Sequence, residues 1–283
     1  MLGTLQRGWK TNLYDVFQSV ENELTVSSPY ISDIGAKFLL DNVSKGFREN
    51  GVLRFVTDLS PINIWQGSTN PNSFKLLFNS VNSIHVFHLP RLHAKVYVSD
   101  DKKAIVTSGN LTAGGLYNNF EYGVFIDSID TVSTIKNDLI DYGNLGAKIN
   151  LLEIETYCAL SDEIRQLYKK REKSSKKEID IVFKRAVGNA NDELIKIRLA
   201  EGALHTVFAK TIYYLLGNNG PLTTVTLHDL IEQIHPDLCD NTVDRIIDGK
   251  RFGKKWKHAV RTAQQQLKRK ELVTIENGIW RRI

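Results

Sequence analysis

Two residues with reactive side chains sit two positions apart in the run Leu92-His93-Ala94-Lys95-Val96-Tyr97-Val98. On a strand, successive side chains alternate between faces, so His93 and Lys95 leave from the same side while Ala94, Val96 and Val98 turn toward a core. An imidazole beside an ammonium is a nucleophile beside an anion clamp, the pair a phosphate would require. Downstream, Ser108 and Asn110 repeat the same spacing on a second expected strand and add a hydroxyl and an amide. Glu121 opens a further expected strand, where its carboxylate can accept a hydrogen bond from a ring nitrogen of a histidine.

Short β-branched and aromatic runs at 24–27, 53–58, 84–89, 94–99, 104–108 and 122–127 read as the strands that position these groups. Helical spacing of apolar residues at 36–48 and 73–82 alternates with them, and the polar stretch 66–72 reads as a loop. Such alternation predicts an α/β sandwich around a mixed sheet. From about residue 160 the texture changes. The segment 169–178 (KKREKSSKKE) is too charged to bury a core and reads as a linker or an exposed helix. Helices are expected at 191–200, 202–216, 226–234, 241–247 and 254–270. A closing hairpin at 272–275 and 278–281 would turn on Asn277-Gly278. Three helices followed by a small hairpin is the order of a winged helix.

The spacing His93, Lys95, Asp100, Ser108, Asn110 resembles the signature of the phospholipase D superfamily, with Thr107 where that family usually has glycine. The continuation Asn110-Leu111-Thr112-Ala113-Gly114-Gly115-Leu116, with Asn119 and Glu121 beyond it, looks most like the bacterial nuclease branch, which carries one motif per chain. The resemblance covers roughly residues 20–130. It implies a metal-independent displacement in which neutral His93 attacks phosphorus and forms a phosphohistidine, while a second, protonated histidine serves the leaving oxygen. Lys95 and Asn110 would hold the non-bridging oxygens, Ser108 would support the phosphate, and Glu121 would fix a histidine's tautomer. No cofactor is implied. Asp100 stands at the family's aspartate position, a structural one in most members, and Ser99-Asp100-Asp101-Lys102 also reads as a plain turn.

None of the other six histidines lies in a matching motif, so the resemblance implies a symmetric homodimer that shares one composite site. His85 and His88, three apart on one strand, make a poor metal pair, and no metal site is expected. His88 either lines the site entrance or is structural. Arg91 either steers a phosphate backbone or is a surface arginine.

Net charge is +5 but unevenly spread: residues 1–159 hold 13 Lys+Arg against 16 Asp+Glu, and residues 160–283 hold 24 against 16. A basic second half suits a polyanion or a solvated surface. Residues 250–270 carry nine Lys/Arg and no acid. With Trp256, Ala259, Val260, Ala263 and Leu267 as a buried helical stripe, Lys254, Lys257, His258, Arg261 and Gln265 share or flank the outward face. The run Gln264-Gln265-Gln266 adds amides for base edges. Arg251, Lys255 and Arg281 complete the candidate DNA-binding set.

Cys158 and Cys239 are isolated, which suits a reducing compartment, and the opening residues lack the apolar core of a signal peptide. The expectation is therefore a cytoplasmic, α/β protein: a phospholipase D-like mixed sheet flanked by helices (1–159), a charged helical linker (160–201) and a mainly helical winged-helix C-terminal domain (202–283). It would be a restriction-like DNA endonuclease acting on double-stranded DNA as a homodimer joined through the nuclease domain, with a cognate methyltransferase as a candidate partner. The rival readings are a phospholipid-directed phosphodiesterase and a DNA-binding regulator with a vestigial catalytic fold.

Overall fold

A computed structural model describes residues 2–6, 8–173, 177–200 and 202–283. The chain divides into two compact units, Met1–Leu194 and Ile195–Ile283.

In the first unit, β1 (Leu2–Leu5), α1 (Lys10–Gln18) and β2 (Glu23–Ser27) lead into two crossovers, α2 (Asp33–Asn42) with α3 (Lys45–Asn50), then β3 (Val52–Thr57), then α4 (Pro61–Trp65) with α5 (Asn72–Phe78), ending in β4 (Ser83–His88). These three strands pair in parallel. A meander follows, β5 (Val96–Ser99), β6 (Lys103–Thr107) and β7 (Gly123–Ile126), then α6 (Ile129–Leu145), β8 (Ala147–Ile149) and the long helices α7 (Leu151–Glu172) and α8 (Lys177–Leu199), the last of which runs on from Ile195 into the second unit. The eight strands form one mixed sheet in the order β1-β7-β6-β5-β2-β3-β4-β8. On one face Phe17, Phe38 and Tyr97 pack with Trp9, and Phe55 meets Phe74 edge-on. The other face, with Val96, Val98 and Ala104, is covered by Val132 and Leu139 of α6. Alternate residues of β5 thus serve the two cores, as strand geometry requires. Helix 36–48, expected as one, is two: Ser44 caps the backbone N–H of Phe47 at 3.0 Å and starts α3 afresh.

The sheet order brings six strand ends to one edge. The C-terminal ends of β2, β3, β4 and β6 lie beside the N-terminal ends of β5 and β7, through the pairs Ser27↔Val96, Ser27↔Val56, Thr57↔His88, Val96↔Val106 and Thr107↔Gly123. Loops leaving this edge can converge on one ligand, as in other open α/β sheets.

The second unit contains α9 (Leu204–Asn219), β9 (Leu222–Thr223), α10 (Thr224–Ile234), β10 (Asp244–Ile247), β11 (Lys250–Lys254), α11 (Lys255–Arg269), β12 (Val273–Glu276) and β13 (Ile279–Arg282). Phe208, Ile212, Leu227, Ile231, Trp256, Val260 and Trp280 form its core, and β12-β13-β9 close it as a small sheet. The helix expected at 241–247 is a strand. Asp248-Gly249, both at positive φ (48° and 76°), forms a tight turn that pairs Ile247 with Lys250, so β-branched Ile246 and Ile247 enter a hairpin. A buried network stiffens the unit: Arg198 donates to Nδ1 of His235 at 2.5 Å and ion-pairs with Asp237 at 3.0 Å, and His235 Nε2 lies 2.6 Å from the Thr211 hydroxyl. Burial, then the Arg198 charge, holds His235 well below its ordinary pKa, so it stays neutral.

Candidate functional site

The candidate residues cluster at the shared sheet edge, yet in the segments beyond the strands rather than on them. β5 starts at Val96, β6 ends at Thr107 and β7 starts at Gly123. On the β2 side the pairing stops because a side chain takes over from the ladder. Ser27 Oγ donates to the Ala94 carbonyl at 2.9 Å on one side, and the Thr107 N–H donates to the Lys95 carbonyl at 3.0 Å on the other. The segment carrying His93 and Lys95 is thereby held in line with β5 without being part of it.

Lys95 is buried and His93 exposed. Lys95 Nζ lies 3.1 Å from His93 Nδ1 and donates to the His93 carbonyl at 2.8 Å. An ammonium has no lone pair, so Nδ1 accepts in this contact and the ring proton belongs on Nε2. Burial lowers the Lys95 pKa, and the charge of Glu121 works against that shift. The Ser108 hydroxyl donates to one oxygen of Glu121, and Asn119 Nδ2 donates to the other at 3.0 Å. Glu121 therefore holds Ser108 and Asn119, where a bond to a histidine ring was expected. A one-turn π-helix, Gly114–Asn118, closed by the Asn119 N–H on the Gly114 carbonyl at 2.9 Å, sets Asn119 in reach of that carboxylate.

Asn110 follows β6 in a loop gripped from below. Tyr97 OH donates to the Gly109 carbonyl at 3.0 Å, Trp9 Nε1 donates to the Gly115 carbonyl at 2.8 Å, and the Leu111 N–H donates to Ser28 Oγ at 3.0 Å. A Cβ at Gly109 would lie 2.4 Å from the Trp9 indole, and one at Gly115 would lie 2.3 Å from the Asn110 carbonyl oxygen. Both positions require glycine because other groups occupy the side-chain space. Asn110 Oδ1 is buried without a hydrogen-bond partner among the described residues. Trp9 and Tyr97, which do this holding, were invisible to motif spacing; Trp9 lies 106 positions from its partner.

Asp100 stands at the far end of β5 from His93. Its carboxylate accepts from the backbone N–H groups of Glu21, Asn22 and Glu23 at 3.1, 2.9 and 2.9 Å. It ties the start of β2 to the β5–β6 turn and has no access to the reacting groups. His88, buried at the site edge, accepts the Leu59 N–H on Nδ1 at 3.1 Å. Asp58 beside it accepts the Arg91 N–H at 3.1 Å, holding the left-handed turn (φ 63°) that leads into His93.

In the second unit, Arg251 and Lys254 lie on β11 and not on the helix. Both pair with Asp244, Lys254 at 2.9 Å. Lys254 is the cap residue of α11 and Lys255 its first residue. Lys257 lies over the Trp256 ring at 5.3 Å, and His258 Nδ1 meets Arg245 at 2.7 Å. Arg261 and Gln265 are exposed on the outward face of α11, and Arg281 is exposed on β13. Of the three glutamines, Gln264 points inward and donates to Thr224 Oγ1 at 3.2 Å, alongside Trp280 Nε1 at 3.0 Å, so it is unavailable to a ligand.

Residues 13–141 match the family model described as "Cardiolipin synthase, PLD-like domain". No curated protein sequence matches the chain. Among solved structures, the chain is similar to Nuc, a phospholipase D family member from Salmonella typhimurium (17% identity, 53% of this chain and 98% of that one, TM-score 0.43). It is also similar to NucT from Helicobacter pylori (16% identity, 50% and 94%, TM-score 0.40). A third is phosphatidylserine synthase from Haemophilus influenzae (17% identity, 58% and 43%, TM-score 0.43). Among the described residues no helix is long and apolar enough to cross a membrane. The matched segment, residues 13–141, contains β2 to β7, with His93 and Lys95 at the edge of the sheet they help to form.

Proposed function

We propose that the chain is a metal-independent, restriction-like DNA endonuclease whose site is completed by a second copy of the chain. The observation that carries this reading is the convergence of His93, Lys95, Ser108, Asn110 and Glu121 on one edge of the sheet. In the first step Nε2 of His93 bonds to phosphorus as the bond from phosphorus to the leaving oxygen breaks, and the second copy's His93 gives that oxygen a proton. Water then attacks phosphorus, passes a proton to the same histidine and displaces His93. A nucleophilic Nε2 needs the proton on Nδ1, so a bound phosphate must first draw Lys95 Nζ off Nδ1 and onto a non-bridging oxygen. Asn119 and Ser108, locked on Glu121, keep the other wall of the site fixed before substrate arrives.

Tyr117, Phe120 and Tyr122 are exposed around this edge, at 47%, 82% and 57%, an apolar rim of the kind a second copy would cover. The order α9, β9, α10, the inserted β10–β11 hairpin, α11, β12, β13 supports reading the second unit as a winged helix, with α11 facing a groove and Arg281 beside the wing. The candidate contacts are Arg251, Lys254, Lys255, Lys257, His258, Arg261, Gln265 and Arg281.

The test is plasmid cleavage in the presence of EDTA by the wild-type chain and by His93→Ala, with the oligomeric state measured alongside. Chelator-resistant cleavage lost in the variant, from a dimer, supports the reading. A strict monomer would leave the two-histidine chemistry without its second histidine. Headgroup release from phospholipid vesicles without DNA cleavage would replace DNA with lipid as substrate, and DNA binding without cleavage would make the chain a regulator.

A further inference from the structure

The β10–β11 hairpin carries exposed apolar side chains on both of its faces. Ile246, Ile247 and Phe252 are 63%, 40% and 51% exposed. An isolated two-stranded ribbon cannot cover either of its faces, and this one is stitched mainly by its own ion pairs, Asp244 with Arg251 and Lys254. Its register sets a basic residue opposite each isoleucine, Arg251 across from Ile246 and Lys250 across from Ile247. Alternation along β11 then returns Phe252 to the side of Lys250. An open cavity of about 450 Å³, lined by Val243, Asp244, Arg245, Ile246, Lys255 and His258, separates the ribbon from the first turn of α11. Across residues 240–261 seven Lys/Arg face three Asp, and Asp244 is taken up by Arg251 and Lys254. The occupant that matches apolar tips rimmed by cations is a polyanion with an apolar interior edge. A two-stranded ribbon also has the width of a duplex groove.

We propose that the β10–β11 ribbon is a groove-probing arm that sets Ile247 and Phe252, which share one face, against base edges of duplex DNA while Lys250 beside them meets the backbone. The arm leads directly into α11, so its contacts continue onto the face bearing Arg261 and Gln265. This rests on the DNA-directed reading above and extends it from charge to shape: part of the affinity comes from apolar contact and is insensitive to salt. In current DNA-recognition terms the ribbon reads the groove and α11 anchors beside it.

The experiment compares the wild-type chain with the double variant Ile247→Ser/Phe252→Ser on a mixed-sequence duplex, by fluorescence anisotropy over a range of salt. Affinity should fall about tenfold with the salt slope unchanged, because no phosphate contact is removed, whereas Arg261→Ala should lower the slope by about one. A second measurement covers the case in which the double variant misfolds. Ile247→Cys, labelled with an environment-sensitive dye, reports directly on the arm, since Cys158 and Cys239 are buried and escape labelling. Dye emission should shift on adding duplex at constant protein concentration. Wild-type affinity within about twofold in the double variant, beside a wild type that binds, overturns the arm alone. A dye response to protein concentration and not to duplex assigns the ribbon to a second copy, and a response to anionic vesicles alone assigns it to lipid; either overturns the proposal. A wild type that binds no duplex ends both this inference and the reading on which it rests.

Discussion

Asp100→Ala tests whether the family-signature aspartate works as chemistry or as scaffold. The seven residues from His93 to Asp100 span roughly 20 Å at about 3.3 Å each, so Asp100 has no part in the reaction and its removal acts on stability. Its carboxylate accepts three backbone N–H groups, and its own φ is 50°. A hydrogen bond to a charged group contributes roughly 1.5–3 kcal/mol, and an L-residue other than Asn or Asp in the left-handed region costs roughly 1–2 kcal/mol. Allowing for water reaching some of the freed N–H groups, Ala should cost about 4 kcal/mol. Asn keeps the two bonds made through Oδ1 and the tolerated φ, but turns an amide N–H₂ toward the Glu21 N–H, so it should cost about 2 kcal/mol. Amide exchange of β2 and β5, followed by mass spectrometry in increasing urea, reads the stability of this unit separately from the second. Cleavage per folded molecule, measured at low temperature, should stay within about twofold of wild type, far from the 10²–10⁴ of a lost acid–base group. A stability loss below about 1 kcal/mol, or an activity collapse in a stably folded Asn variant, would refute the assignment.

Gly109→Ala should cost about 1–3 kcal/mol by overpacking against Trp9 and lower turnover by displacing Asn110; unchanged melting and turnover would show that the indole yields freely. Glu121→Gln removes the charge that opposes the lowering of the Lys95 pKa by burial. Activity that needs the Lys95 ammonium is lost as pH rises through that pKa, so the basic limb of the kcat/KM profile should move to lower pH in the variant, and an upward or absent shift would contradict the pairing. His235 is neutral when folded because burial and Arg198 depress its pKa, whereas the unfolded chain takes up a proton below about pH 6.5. Stability is thus complete above that pH and falls by up to about 1.4 kcal/mol per pH unit below it. His235→Asn should flatten the slope of denaturant stability between pH 7 and pH 5 relative to wild type, with His228 and His258, whose pKa values are also lowered, contributing equally to both.

The parts of the molecule that sequence makes legible are those in which the reason for a residue lies within a few positions of it. β2 to β7 follow from local β-branched runs, and α11 from its apolar spacing around Trp256, Val260, Ala263 and Leu267. The edge strands β1 and β8 carry no such signal, since pairing with β7 and β4 decides them. The segment 241–247 suits helical spacing with its three apolar residues, yet it leads into strand β10, because the Asp248-Gly249 turn that decides the matter stands just outside that window. At the site, spacing identified His93 and Lys95 but set them on β5, whereas Ser27 ends the ladder by taking the Ala94 carbonyl. The run Gln264-Gln265-Gln266 reads as amides for base edges, yet Thr224, forty residues before Gln264, draws that glutamine inward.

The groups that fix the site share a property that motif reading cannot detect: each reaches across the chain to a backbone atom. Trp9 holds Gly115, Ser28 holds Leu111, Tyr97 holds Gly109, and Asp58 holds Arg91. A backbone partner puts no constraint on the type of side chain at the far end, so no pair of residue types announces the contact. Displacement at phosphorus depends on charges set before the substrate arrives, because reorganising them during the reaction would raise the barrier. The sheet edge supplies only the approximate convergence of strand ends, and these four tethers convert it into fixed positions for Asn110, for Glu121 with Ser108, and for the turn into His93. Rigidity at the site is therefore a property of the hydrophobic face beneath it, where Trp9, Phe17 and Tyr97 pack together. Substitutions in that aromatic layer should loosen catalysis before they unfold the domain.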